Sequence, residues 1–209
     1  MSSDRSVPTR QRLVTAAAEL FRRQGYAATG IKSILTAADA PYGSLYHFFP
    51  GGKAALGRAV VEEGGAAYLA LVGAYYRDDV DPVRATEAFF ADGAELLEST
   101  AFADACPIAT LAGEIADTHD DLRRASADAF RSWIDALAAN LEHHGADRAA
   151  AAATAVELFC LVEGAFLLCR TSRSAEPLRS VGRRAVASVT DSLATGSRRR
   201  PRATATERR

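Results

Sequence analysis

Lysine is nearly absent from this chain of 209 residues, since Lys32 and Lys53 are the only two lysines among 25 basic residues. Cysteine is also scarce: Cys106, Cys160 and Cys169 lie far apart and form no CxxC pair. An odd number of widely spaced cysteines argues against a disulfide framework or a zinc module and is typical of a reducing compartment. A chain of this length can bury a core without such cross-links.

Long apolar runs are missing as well. Arg, Asp or Glu interrupts each stretch before it reaches the roughly 18 residues that a membrane-spanning helix needs. The N-terminus carries Asp4, Arg5, Arg10 and Arg12, where a signal peptide would need an apolar segment. We therefore expect a cytoplasmic protein that does not bind a membrane.

The motifs of common enzyme classes are absent too. The sequence has no GxSxG, no Walker loop, no GxGxxG after a strand and no HExxH. His143 and His144 are adjacent, so on a helix they point about 100° apart and cannot share a metal ion. His119 and its neighbouring aspartates are typical of a helix start, where acidic groups suit the helix dipole. We predict a protein that is not an enzyme and that binds no metal or cofactor.

The net charge of −1 conceals an uneven distribution of charge along the chain. Residues 1–53 contain seven Lys or Arg and three Asp or Glu, a balance of +4. Residues 196–209 carry +5, and the 142 residues between these segments carry −10. Such asymmetry suggests two modules, of which the basic one is a candidate for binding a polyanion. The solubility of an Arg-rich chain would explain the same charges without a partner.

Helical periodicity dominates the sequence, and no alternating run is long enough to predict a strand. We predict an all-α fold. The first helix ends at Gly25, Thr29 caps a short second helix, and a short third helix lies between Pro41 and Pro50. Longer helices are predicted from residue 53 to about Tyr76 and then over about 83–99, 107–116, 120–141, 148–170 and 177–193.

The two short helices, joined by a tight break before Pro41, match the helix-turn-helix pattern of DNA-binding proteins. Leu45 and Phe49 lie one turn apart and are predicted to face the preceding helices. The opposite face is small and polar enough to enter a major groove. Gly43 on that face would let the backbone approach DNA, which gives a reason for a residue that costs a helix about 1 kcal/mol. The outer face consists of Tyr42, Gly43, Ser44, Tyr46 and His47.

The run TGIKSILTAADAPYGSLYHFFPGGKAAL resembles the DNA-binding segment of the TetR family of repressors. Its ending, APYGSLYHFFPGGK, is most similar to the LmrA/YxaF-like branch of that family. Two later segments, CPIATLAGEIAD and EGAFLLCRTSRSAEPLR, resemble the effector domain of the same branch.

The resemblance implies a role for each residue of the motif. Tyr46 and Lys53 would hold phosphates, and Thr29 would donate a hydrogen bond to a phosphate at the start of the second helix. Lys32 is either a further phosphate contact or a solvated side chain. Tyr42 departs from the branch, in which lysine is usual at its position. The residues at the groove would be Tyr42, Ser44 and His47.

The resemblance also implies the domain organisation. A helix-turn-helix DNA-binding domain would span residues 7–52, and an effector-binding and dimerisation domain would span residues 53–195. Residues 196–209 have no apolar face and are predicted to form a disordered Arg-rich tail. The helix that begins near Gly52 would connect the two domains.

In the family, the helices of the second domain enclose an apolar cavity for a small molecule. Cys106 precedes a proline and Glu163 lies within an apolar stretch, so both are candidates to face a cavity. Core packing alone would explain most of the aromatic candidates. The candidate ligand-binding residues are Phe89, Cys106, Phe130, Trp133, Phe159, Glu163 and Phe166.

The last two predicted helices carry small and apolar residues, and the resemblance implies that these two helices from each subunit form a four-helix interface in a homodimer. The residues predicted for that interface are Ala152, Ala155, Val156, Phe159, Val162, Gly164, Leu167, Leu178, Val181, Ala185 and Val189. We predict a homodimeric repressor that binds a palindromic operator in double-stranded DNA and is released by a small lipophilic ligand. The alternative is a helical small-molecule carrier or enzyme with an incidental basic N-terminus.

Overall fold

A computed structural model describes residues 7–103, 106–115 and 119–199, and within these ranges the chain forms nine α-helices and no strand. This is the all-α fold that the sequence predicts. In chain order the helices are α1 (Thr9–Gln24), α2 (Ile31–Ala37), α3 (Tyr42–Phe48), α4 (Gly52–Tyr75), α5 (Pro82–Ser99), α6 (Pro107–Ile115), α7 (Asp120–His143), α8 (Arg148–Ser172) and α9 (Glu176–Arg199).

Local chemistry explains where several helices begin and end. At the start of α5, Asp81 Oδ1 accepts hydrogen bonds from the backbone N–H groups of Val83 and Arg84, at 2.7 and 3.3 Å. Pro82 follows as the first helical residue, where its missing N–H is not needed. α1 ends at Gly25, whose φ of 86° is readily adopted only by glycine.

Two boundaries predicted from the sequence are wrong. The N-cap of α2 is Gly30 and not Thr29, because the Thr29 hydroxyl donates to the carbonyl oxygen of Gly25 instead, at 2.6 Å. α9 continues to Arg199, past the predicted helix end at about residue 193 and into the segment predicted to be a disordered tail. Gly196 costs a helix only about 1 kcal/mol, and arginines near the C-terminus suit its dipole. The remainder of the predicted tail, residues 200–209, lies outside the described residues.

α1, α2 and α3 pack around one core. Arg12 fastens the turn between α2 and α3, because its Nε and Nη2 donate to the carbonyl oxygens of Ala38 and Asp39, both at 2.9 Å. Carbonyl groups at a helix end lack partners within the helix, so these bonds stabilise the end of α2. They also fix α3 relative to α1. The fully buried members of this core include Leu13, Phe21, Ile34 and Leu45.

The same core continues beyond these three helices. Leu56 and Val60 of α4, Leu111 and Ile115 of α6, and Leu122 of α7 belong to the same buried cluster. The predicted domain boundary at residues 52–53 therefore lies at the start of α4 and does not coincide with a break in packing.

The remaining helices form a larger bundle, in which α4 packs along α7, α5 along α9, and α8 against both α7 and α9. Among the described residues, α8 is the one helix long and apolar enough to cross a membrane, judged by length and composition alone. Glu157 and Glu163 interrupt its apolar segment, as the sequence predicts for every long apolar stretch. The packing of α8 on α7 and α9 is that of a core helix in a helical bundle, although only 33% of its apolar segment is buried.

Candidate nucleic-acid interface and apolar cavity

α3 turns its polar face to solvent. The exposed fractions of Tyr42 and Tyr46 are 68% and 46%, and the centroids of their rings lie 6.2 Å apart. Gly43 and His47 are also exposed, and Ser44 is half-buried. The structure thus brings the five residues of the predicted outer face together on one surface, while the predicted inner residues, Leu45 and Phe49, are buried.

Gly43 has no structural reason to be glycine. A Cβ atom at this position would meet no other atom within 4 Å. Glycine within a helix is less stable than alanine by about 1 kcal/mol, so the fold alone would favour a side chain here. The close approach of something outside the protein would explain the glycine.

Phe48 is an exposed aromatic residue of α3 that the sequence prediction missed. Its exposed fraction is 38%, and its ring makes an edge-to-face contact with His47 at a centroid distance of 4.7 Å. Single exposed apolar residues are common and carry little information by themselves. The sequence signal for an exposed Phe48 is its position directly after His47. Leu45 already occupies the buried face of this short helix, so Phe48 lies on another face.

Lys32 is exposed on α2 and lines a surface groove together with Arg12, Pro41 and Tyr42. It therefore lies on the same side of the protein as the outer face of α3. This position is compatible with both interpretations left open by the sequence, and the phosphate contact stays a prediction.

Lys53, at the start of α4, is half-buried and turned toward the connection between α1 and α2. Its Nζ lies 4.3 Å from the centroid of the Tyr26 ring and donates to the carbonyl oxygen of Ala27 at 3.4 Å. Loss of water around the ammonium lowers the pKa of Lys53, while the nearby carboxylate of Glu114 opposes that effect. Lys53 therefore stabilises this connection, and its predicted phosphate contact stays a prediction.

The prediction that Thr29 donates to a phosphate is wrong. Its side chain is only 1% exposed. Its hydroxyl donates to Gly25 and accepts from Gln24 Nε2 at 3.1 Å, and its backbone N–H donates to the carbonyl oxygen of Tyr26 at 3.2 Å. Both donors of Thr29 are used within the protein, where they hold the turn before α2.

A cavity of about 540 Å³ lies between α4, α5, α7 and α8 and is closed at one end by the start of α6. Cavities of this size accept drug-sized molecules. Five of the seven predicted ligand-binding residues line it: Phe89, Cys106, Trp133, Glu163 and Phe166.

The other two, Phe130 and Phe159, do not line this cavity. Their rings pack against the indole of Trp133, with centroids 5.4 and 5.9 Å away, and Phe159 reaches only a separate void of about 30 Å³. Trp133 is 2% exposed and its Nε1 donates to the carbonyl oxygen of Gly65 at 2.8 Å. The anchored indole thus stands between the two phenylalanines and the cavity.

Glu163 and Cys106 form the polar end of the cavity. Burial raises the pKa of the Glu163 carboxyl, and a hydrogen bond with Cys106 opposes this effect only in part. Burial and the neighbouring Glu163 raise the pKa of the Cys106 thiol to about 12, so the thiol stays protonated and is a poor nucleophile at neutral pH. Within the described ranges, no three His, Cys, Asp or Glu side chains are grouped to hold a metal ion.

Two tyrosines of α4 line the cavity and were not predicted from the sequence. Tyr68 and Tyr75 are separated by seven residues, a spacing that places both on one face of a helix, and this is the pattern that would have identified them. The Tyr75 hydroxyl donates to Asp92 Oδ2 at 2.6 Å. Burial and this carboxylate raise the pKa of Tyr75 to about 12.

Comparison with known proteins agrees with this arrangement. The family of bacterial regulatory proteins named after tetR matches residues 13–60, which include α2 and α3. The C-terminal domain of LmrA/YxaF-like transcriptional regulators matches residues 82–184, which contain most of the cavity wall. The chain belongs to the TetR family. It is a transcriptional regulator with an N-terminal DNA-binding domain, and it is not an enzyme.

Individual transcriptional regulators are similar to this TetR-family protein over most of its length. The uncharacterized HTH-type transcriptional regulator YxaF of Bacillus subtilis is 32% identical over 170 residues, which cover 81% of this chain and 89% of the relative. The HTH-type transcriptional regulator LmrA of the same organism is 29% identical over 81% of this chain and 90% of its own. The crystal structure of a regulatory protein TetR from Rhodobacter sphaeroides aligns with a TM-score of 0.77 and 25% identity, over 86% of this chain and 98% of that one.

In this TetR-family regulator, a carboxylate of α6 holds the DNA-binding domain. Glu114 Oε1 and Oε2 accept hydrogen bonds from the backbone N–H groups of Tyr26 and Ala27, at 3.1 and 2.8 Å. The carboxylate lies so close to Gly25 that a Cβ there would be 2.2 Å from Oε1. His119 adds an edge contact to the Tyr26 ring, with the centroids 5.5 Å apart. The connection between α1 and α2 is therefore built around Glu114.

The outer surface of α8 is apolar, and it contains only some of the residues predicted for a dimer interface, namely Ala152, Val156, Gly164 and Leu167. Ala155 and Val162 are buried inside the protomer, as are Leu178, Ala185 and Val189 of α9, because these positions face the neighbouring helices of the same chain. The periodicity identifies the apolar positions of α8 without separating the two faces on which they lie. The apolar residues that α8 exposes include Ala152, Ala153, Val156, Cys160, Gly164, Leu167 and Leu168.

Proposed function

We propose that this regulator is a dimeric repressor that binds a palindromic operator and is released from it by a small lipophilic ligand. One observation carries the proposal. The helices that line an aromatic cavity, α4 and α6, are the same helices that contact the DNA-binding domain, through Lys53 and Glu114. A regulator of this kind acts on the chromosome, so we also propose that it is cytoplasmic.

The DNA contacts follow from the exposed surface around α3. We assign base-edge contacts to Tyr42, Ser44 and His47, and a close backbone approach to Gly43. Tyr46, with Lys32 and Lys53, would bind phosphates, which fix the position of the protein without reading sequence. Phe48 would add an apolar contact beside His47, of the kind that thymine methyl groups accept.

Dimerisation would make the operator palindromic. α8 packs on α5, α7 and α9, whereas α3 packs on α1 and α2. Pairing of two protomers through the exposed apolar face of α8 would therefore leave α3 free in both subunits. Two recognition helices about 34–36 Å apart would enter successive major grooves on one side of the duplex. An interface of this kind is self-complementary, which matches the two-fold symmetry of a palindrome.

Release would follow from movement of α4 and α6. A ligand in the cavity contacts Tyr68 and Tyr75 of α4 as well as Ile108 of α6. Displacement of α6 would move the Glu114 carboxylate, and with it the connection between α1 and α2. A coupling free energy of about 1–3 kcal/mol changes affinity by about 5- to 150-fold, so a small displacement is sufficient.

The test is selection of binding sites from a pool of random duplexes by the purified protein. We expect an enriched palindrome, bound at least about a thousandfold more tightly than unrelated DNA at the same salt concentration. His47→Ala should relax base preference at one position of each half-site, whereas Tyr46→Phe should weaken binding to all duplexes about equally. Enrichment of no sequence, or of sequences without symmetry, would contradict the proposal.

A further inference from the structure

The charges at the cavity wall are all of one sign. Two carboxylates line it, those of Glu163 and Asp92, and of the described residues that line it none is Arg, Lys or His. The other polar groups at the wall, the phenols of Tyr68 and Tyr75 and the thiol of Cys106, are neutral. A ligand with a negative charge would find no partner here and would be repelled from both ends.

The Glu163 carboxylate is positioned in the cavity wall to accept a hydrogen bond from a cationic ligand. It lies on α8 among apolar and aromatic side chains, and it shares a hydrogen bond with the Cys106 thiol, a weak donor. Glu163 is half-buried, so folding has already removed part of the water around this carboxyl. A cation that enters therefore loses its own hydration but has less water to remove from its partner, which is a favourable condition for a buried ion pair.

The rest of the wall suits a flat cation. Five aromatic rings line the cavity, and the face of an aromatic ring attracts a cation and stacks on an apolar ring system. The five are Tyr68, Tyr75, Phe89, Trp133 and Phe166. Tyr68 and Trp133 are in contact with each other, with their centroids 4.3 Å apart, so the wall at this point is continuous.

The approach to the cavity is negative as well. Asp92 is exposed at the mouth, where the Tyr75 hydroxyl orients its carboxylate. Residues 54–195, which contain every helix that lines the cavity, carry a net charge of −10. A net negative domain raises the local concentration of cations around it.

We propose that the effector is a flat aromatic molecule that carries a protonated amine, with the ammonium at Glu163 and the rings between Tyr68, Phe89 and Trp133. This inference depends on the proposed function, because it takes the cavity to be the effector site. It adds the chemical class of the ligand and the residue that selects it.

The experiment compares three probes with one skeleton: para-phenylbenzylamine, para-phenylbenzyl alcohol and para-phenylbenzoate. They are cationic, neutral and anionic at about pH 8. Trp133 is the only tryptophan of the chain and lines the cavity, so its fluorescence reports occupancy directly. We expect the amine to bind about ten- to a hundredfold more tightly than the alcohol, and the benzoate to bind most weakly.

Glu163→Gln keeps the shape of the side chain and removes its charge. In this variant the amine should lose its advantage and bind within about threefold of the alcohol, whose affinity should not change. Glu157→Gln is the matched control, because Glu157 lies on the same helix but faces α9, where it accepts from Ser188 Oγ at 2.8 Å. That variant should retain the preference for the amine.

The outcomes separate this inference from the proposed function. If the alcohol or the benzoate binds as tightly as the amine, the assignment of a cationic ligand is wrong, while the cavity remains a ligand site. If none of the probes changes Trp133 fluorescence, or if Glu163→Gln keeps the preference for the amine, the inference is also overturned. Operator binding without ligand, measured separately, decides the proposed function.

Discussion

Glu163 shows at the scale of a single residue how a binding site reduces stability. A carboxyl group buried in an apolar cavity resists ionisation, so the pKa of Glu163 is higher in the folded protein than its ordinary value of 4.5. Above that ordinary value the folded protein carries a penalty that the unfolded chain does not. The penalty disappears as pH falls, because the carboxyl is then protonated in both states.

Glu163→Gln should therefore raise the melting temperature at about pH 8, and the gain should shrink as the pH is lowered toward about 5. Glutamine carries no charge at any pH, so the variant lacks the penalty throughout this range. Thermal melts of both proteins across the range, followed by circular dichroism, give the difference directly. A gain that stayed constant with pH, or a loss of stability at the higher pH, would show that desolvation of this carboxyl is not the cause.

Gly43→Ala should separate folding from DNA binding at one position. The added methyl group meets no atom within 4 Å, so the variant should be as stable as the parent or more stable by up to about 1 kcal/mol. Operator affinity, measured by fluorescence anisotropy, should fall at least about tenfold if the backbone of α3 approaches DNA. Gly73→Ala is the control, since Gly73 lies in α4 with equally open surroundings. Equal operator affinity for both variants would remove Gly43 from the interface.

At the scale of elements, helix bounds could largely be predicted, because caps and periodicity are local. The sequence predicts α5 as 83–99 and α8 as 148–170, and the structure shows Pro82–Ser99 and Arg148–Ser172. The cavity wall was harder to predict. Phe130 and Trp133 lie on neighbouring faces of α7, and only the hydrogen bond from the indole to α4 decides which ring meets the cavity. The spacing of residues along the chain does not predict tertiary contacts of this kind.

α6 provides a prediction about coupling. Glu114→Ala removes the acceptor for the backbone N–H groups of Tyr26 and Ala27 but does not touch the cavity. The variant should bind para-phenylbenzylamine with unchanged affinity, while the ligand should change operator affinity by a factor at least about fivefold smaller than in the parent. Trp133 fluorescence measures the first quantity and anisotropy with and without ligand the second. Glu95→Ala, an exposed carboxylate of α5, should leave both unchanged.

The outer face of α8 gives a second prediction for an element. Leu167 is 62% exposed in the protomer, so Leu167→Asp should leave the fold intact and convert a dimer into monomers at micromolar concentration. Analytical ultracentrifugation measures the mass and circular dichroism the helix content. Ala139→Asp, at an exposed position of α7, should remain dimeric. Sedimentation of Leu167→Asp as an unchanged dimer would place the interface on another surface.

For the whole molecule, the separation of charge governs how binding responds to salt. The first 53 residues carry +4 and include the sequence of the DNA-binding helices, whereas the 142 residues that follow carry −10 and would be repelled by phosphates. This arrangement favours one orientation of the protein on DNA. It also means that few basic side chains are available for phosphate contacts. Removal of any one of them should therefore change the salt dependence of DNA binding measurably.

Lys32→Ala should lower the slope of log affinity against log salt concentration by about one, because one fewer counterion is released. The loss should be similar for operator and unrelated duplexes, since phosphate contacts carry no base information. Anisotropy titrations at several salt concentrations provide the slope. A change in base preference with the original slope would assign Lys32 to the groove instead.

The core that runs from α1–α3 into α4, α6 and α7 limits how the protein can be recombined. A chimaera joined at residue 52 would place foreign helices against Leu56, Leu111 and Ile115, and would lose the fit between Gly25 and Glu114. An exchange that keeps regulation intact would have to transfer the first half of α4 and all of α6 together with the DNA-binding helices. The segments that pack together as one unit are therefore not contiguous in the chain. In a biosensor built on this scaffold, no single junction would separate the ligand-binding part from the DNA-binding part.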